Sequence, residues 1–151
     1  MYRSMKVQVT EGPVYDWCYT IAHKANNLYN AALYRERQLM CSRGKAPSEL
    51  SANEAEVLRE FEEMNRILQA CGKRVRQLPD SGVLSYNALD DLMKCTGNPD
   101  YFCDELPRQT AQSVLKHTVR DLTSFFEAVK AYKSESARFN GYPQLPHYKH
   151  K

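Results

Sequence analysis

Arg108, Gln112, Lys116 and Arg120 stand at strict four-residue steps, and in this chain it is there that chemistry is most legible. On a helix that spacing stacks the four side chains into one stripe. The stripe is polar and mostly cationic. It suits the neutralisation of phosphates, and an arginine or a glutamine amide can also bond the edge of a base. Lys130 and Lys133 add charge in the last turn of the same helix, where it suits the helix dipole. After a polar break the chain leaves through Ala137-Arg138-Phe139-Asn140-Gly141-Tyr142-Pro143-Gln144-Leu145-Pro146-His147-Tyr148-Lys149-His150-Lys151, an extended segment that is aromatic and basic. A charged helix face is ordinarily a solvated face; the tail moves the reading toward polynucleotide, because cations hold phosphates while aromatic rings stack on exposed bases.

Other chemistries find little support. The chain has no Gly-rich phosphate loop, no Gly-x-Ser-x-Gly and no His-Glu-x-x-His. Its four histidines, His23, His117, His147 and His150, suggest no triad. The five cysteines at 18, 41, 71, 95 and 103 are odd in number and lack zinc-ligand spacing, so free thiols in a reducing cytoplasm are expected. Carboxylates cluster at Glu54, Glu56, Glu60, Glu62 and Glu63, a pattern expected of a solvated helix face and not of a metal site. No catalytic residue, metal, cofactor or small-molecule substrate is therefore expected. With 151 residues and a net charge of +3 the chain is mildly basic, nearly balanced over its first hundred residues, with the excess toward Lys116 to Lys151. Neither an apolar signal run nor a membrane span is visible, and a cytoplasmic location is expected.

The elements that must position the stripe follow from periodicity. Met5, Val7 and Val9 alternate with polar neighbours, predicting a strand over Met1 to Thr10. A first helix, capped by Asp16, is expected to run to about Met40 with Trp17, Ile21, Ala25, Leu28 and Ala32 as its apolar stripe. Asn26, Asn27 and Asn30 are unusual in such a helix, since short amides compete for backbone groups. Ser51-Ala-Asn-Glu54 is a capping box for a second helix, which buries Val57, Phe61, Met64, Leu68 and Cys71. Gly72 weakens its end. Ser85 caps a short helix ending near Lys94. The long helix starts from Asp104 and Pro107 and buries Ala111, Leu115, Thr118, Leu122, Phe125 and Val129. The expected fold is mainly α: a bundle of three long helices and one short one, with an N-terminal strand and an extended tail, both frayed if the bundle folds alone.

Several stretches carry a resemblance. Leu106-Pro107-Arg108-Gln109-x-x-Gln112, the Phe125-Phe126 pair and the exit Gly141-Tyr142-Pro143 to Tyr148-Lys149, together with Asn27-Leu28-Tyr29-Asn30-Ala31-Ala32-Leu33 and Leu84-Ser85-Tyr86, resemble the amino-terminal region of the TnpB (OrfB) family. These are transposon-encoded, RNA-guided endonucleases related to the type V CRISPR effectors. The resemblance implies that 1–12 opens a wedge β-barrel, that 13–138 is a helical recognition domain, and that 139–151 is the exit leading back to the barrel. It implies an amino-terminal piece, without the RuvC-like nuclease and zinc-finger regions, which would bind guide RNA and target DNA but not cut. By position, the base-reading aromatic falls on Tyr86, the polar residue a turn later on Asp90, and the base-contacting pair on Arg108 and Gln112. Asp90 departs from the family's small hydroxyl. Lys116, Arg120, Lys149 and Lys151 are the further candidates for phosphate contact. The same region can be described as a helix-turn-helix transposase segment. A helical protein-interaction or scaffolding domain is the alternative.

Overall fold

The fold is described from a computed structural model, over residues 8–80 and 82–150. It is mainly helical. Four helices, α1 (Pro13–Ser42), α2 (Ala52–Ala70), α3 (Tyr86–Cys95) and α4 (Arg108–Ser134), are accompanied by single 3-10 turns at Pro47–Glu49 and Ser136–Arg138. No strand occurs among the described residues. The strand expected over Met1 to Thr10 lies mostly outside them; Gln8, Val9 and Thr10 lie within and carry no regular structure.

The helix starts show which capping signals operate. Ser51 accepts from the Glu54 N–H, and Glu54 accepts from the Ser51 N–H, so the capping box of α2 is fully formed. Ser85 likewise accepts from the Ala88 N–H at the start of α3. The long helices differ from expectation. α1 begins at Pro13 with Gly12 as N-cap and Asp16 inside its first turn, and α4 begins at Arg108 with Pro107 as N-cap. Neither Asp16 nor Asp104 caps. A proline at the helix start presets a helical φ, and its missing N–H would have had no partner within the helix, so the helix can start there without a capping side chain. Gly72 does more than weaken α2: it sits at φ 68° and lets the Lys73 N–H return to the Leu68 carbonyl at 2.8 Å.

Named contacts fix the direction of each helix. Arg35 meets Glu60, and Lys45 meets Glu54, so α2 runs antiparallel to α1. The Tyr29 hydroxyl donates to Asp121, and Leu33 packs with Leu122, so α4 runs parallel to α1. Lys116 lies over Tyr86, whereas Arg108 lies over Tyr101, whose hydroxyl reaches Asp90, so α3 runs antiparallel to α4. α2 and α3 therefore run the same way, and the segment between them must travel back along the bundle. Asn65 holds that segment, donating to the Arg76 carbonyl and accepting from its N–H; Arg76 in turn pairs with Asp91 of α3.

The core joins Leu28, Ala32 and Leu39 of α1, Val57, Phe61, Met64 and Leu68 of α2, Leu89, Leu92 and Met93 of α3, and Ala111 and Leu115 of α4. Each of the larger side chains contributes roughly 1.5–3 kcal/mol on burial before entropy is subtracted. Four expected core positions are not in it. Trp17 is 61% exposed, because the first turns of α1 project past the start of α4. Cys71 is the exposed C-cap of α2, and Phe125 and Val129 are only half-buried. The acidic face of α2 is also less solvated than its pattern predicts. Glu54 is buried beside Lys45 at 2.6 Å, which with the Ser51 N–H holds its carboxyl below the ordinary range. Glu60 faces Arg35 through two contacts of 2.9 Å, of which only that from Nη2 is an aligned hydrogen bond.

Candidate nucleic-acid interface

α4 carries the predicted stripe on its surface. Arg108, Lys116 and Arg120 are exposed and Gln112 is half-buried. None of the three cations has a carboxylate partner among the described residues. Arg108 lies 5.2 Å from the centres of both the Tyr101 and the Phe102 rings, within cation–π range of each. Lys116 sits 5.0 Å over the Tyr86 ring, so α3 and α4 bring two predicted residues together. Burial pushes the Tyr86 hydroxyl up, with Asp90 adding to it, so this ring stays neutral. Arg120 approaches Nε2 of His117 at 2.8 Å, one turn back. The result is a line of three cations with one aromatic ring and one amide beside it.

Asp90 is placed elsewhere. It is 8% exposed; Oδ1 accepts from the Tyr101 hydroxyl at 2.7 Å and Oδ2 from Lys94 at 2.5 Å. The hydrogen bond to Asp90 is the main cause that raises the Lys94 pKa. Both carboxylate oxygens are thus occupied by the chain itself. Asp90 ties α3 to the turn before α4 and is not part of the exposed line. Lys149 also lies away from the stripe, on the α1 side of α4, and Lys151 falls outside the described residues.

The tail is clasped along its final residues, not frayed. Its reversal after α4 is packed by Tyr132, whose ring meets Phe139 at 5.6 Å and Tyr142 at 5.3 Å. Leu145 then joins Tyr29, Leu33 and Leu122. Arg37 donates to the Pro146 carbonyl and lies 4.6 Å from the centre of the Tyr148 ring. Asn30 holds Lys149 from both sides, donating to its carbonyl at 2.9 Å and accepting from its N–H at 2.7 Å, and Asn26 donates to the His150 carbonyl. The tail therefore runs back along α1 in the opposite direction. An extended segment has no backbone partners of its own, and these amides supply them. Amides inside a helix were a visible signal, but their partners lie more than a hundred residues away in the chain. Arg35 and Arg37 are engaged by Glu60 and by the tail. Asn30→Ala is expected to cost about 1–3 kcal/mol, two hydrogen bonds at their usual worth. It should also speed tryptic cleavage after Lys149 before the bundle melts; unchanged cleavage would mean that the clasp contributes nothing.

Among the described residues no three His, Cys, Asp or Glu side chains gather to hold a metal, and no helix is long and apolar enough to cross a membrane. Comparison with protein-family models, with curated proteins and with solved structures gives no match.

Proposed function

We propose that this chain is a nucleic-acid-binding module, the guide-RNA and target-DNA recognition part of a TnpB-like, transposon-associated RNA-guided nuclease. One observation carries the reading: Arg108, Lys116 and Arg120 stand exposed in line on α4, without carboxylate partners among the described residues, with Tyr86 beside them. A guide–target hybrid is held through its backbone and shape, and a line of cations along a rigid helix is suited to that. Arg108 and Gln112, a turn apart, are of the types that bond guanine and adenine edges. Tyr86 supplies a ring for an unpaired base.

The test is binding as a function of salt. Log affinity for duplex DNA should fall with log salt at about −0.9 for each phosphate neutralised. Arg108→Ala should relax the preference among base sequences by roughly 1–3 kcal/mol, and Lys116→Ala should weaken all sequences alike. Failure to bind either RNA or DNA at low salt, in a sample that melts cooperatively, would end the reading. The alternative, a protein-interaction or scaffolding domain, is favoured by one observation of its own: Val14, Tyr15, Trp17 and Tyr19 are exposed on the projecting turns of α1.

A further inference from the structure

We propose that a cavity between α1, the start of α4 and the tail takes one unstacked base from a bound single strand. The inference rests on the nucleic-acid reading above and adds a site on the other side of α4 from Tyr86. The cavity measures about 250 Å³. That is below the ~300 Å³ at which drug-sized pockets begin, and suits a ligand the size of one base.

Its walls are built for a flat ring. Ala25 and Val114 supply an apolar floor, and Tyr29 and His117 stand edge to face with centres 6.4 Å apart. One carboxylate pins both walls: Oδ2 of Asp121 accepts from the Tyr29 hydroxyl at 3.0 Å and meets Nδ1 of His117 at 3.1 Å. Burial, then that hydrogen bond, pushes the Tyr29 pKa well up, so its hydroxyl keeps its proton. The walls are thus fixed before any ligand arrives, which lowers the ordering cost of binding.

Two hydroxyls at the cavity, those of Thr110 and Ser113, are unspent among the described residues. Thr118 and Thr123, on the same helix, return their hydroxyls to the carbonyls four residues back. Thr110 and Ser113, which line the cavity, have no such bond among the described residues. A hydroxyl both donates and accepts, so these two can meet the edge of any base. Lys149 closes the rim, its ammonium 4.9 Å over the Tyr29 ring and without a carboxylate partner among the described residues, where the phosphate of an inserted nucleotide would pass. Arg120, against His117, is a second cation at hand. The clasp of Asn26 and Asn30 on the tail is what holds Lys149 there.

The experiment uses the full chain and a short oligothymidylate carrying one 2-aminopurine. Insertion should raise 2-aminopurine fluorescence several-fold, because the base leaves its neighbours. An abasic nucleotide at that position should weaken binding by roughly tenfold, the equivalent of one lost stack. Ser113→Phe, at an exposed position, should fill the cavity, abolish the fluorescence rise and weaken binding to the same extent, with the salt slope and the melting temperature unchanged. Tight, salt-dependent binding with no fluorescence rise and no effect of the abasic site would overturn the cavity and leave the stripe standing. No binding at any salt would overturn both.

Discussion

Glu36→Gln is expected to flatten the pH dependence of stability and to make the protein more stable than the parent at pH 8. Glu36 is fully buried in the C-terminal third of α1. Oε2 accepts from the Leu84 N–H at 3.1 Å, just before α3, and Oε1 has no hydrogen-bond partner among the described residues. Burial pushes its carboxyl from 4.5 to about 7; the Leu84 N–H and the Arg43 charge offset part of that. Arg43 gives its own hydrogen bond to the Gly82 carbonyl at 2.6 Å, and does not neutralise Glu36 directly. The folded state therefore binds a proton more tightly than the unfolded chain. Its contribution to stability is complete below about pH 4.5 and is lost as the pH rises through 7. Between pH 5 and pH 8 the difference between parent and variant should grow by roughly 2–3 kcal/mol. Urea unfolding at the two pH values measures it. Parallel behaviour of the two proteins would show that Glu36 does not titrate in this range.

Asp90→Ala is expected to cost about 3 kcal/mol, since it strands the hydroxyl of the buried Tyr101 and removes the anion that Lys94 pairs with. Asp90→Asn keeps an acceptor for Tyr101 and loses only the charge, so about half that loss should return. The pair also tests the placement of Asp90. In the folded protein both variants should bind nucleic acid with the base preference of the parent, in contrast to Arg108→Ala. Unchanged thermal stability with altered base preference would put Asp90 in the interface instead.

Local signals were legible where the answer is local. Ser51 with Glu54, and Ser85, mark helix starts because a cap is a bond to a backbone group two or three residues away. The stripe on α4 was legible for the same reason, since four-residue steps must share a face whatever surrounds the helix. Exposure of that stripe was not fixed by its spacing. It depended on α3 covering one flank of α4 and α1 the other.

Sequence by itself determined four helices, most of their inward faces, and the cationic line with its order Arg108, Gln112, Lys116, Arg120. Tertiary structure alone decided which charged groups are spent. Arg35 went to Glu60, Arg37 to the tail, Arg76 to Asp91 and Asp90 to Lys94 and Tyr101, while Arg108, Lys116 and Arg120 kept their charge for solvent or a ligand. Periodicity gives the face on which a side chain stands, but a charge is neutralised by whatever the folded chain brings within about 4 Å. Asp90 with Lys94, Glu63 with Arg66, His117 with Asp121 and Glu135 with Arg138 pair within three or four residues, whereas Arg35, Arg37 and Arg76 find their partners on other elements.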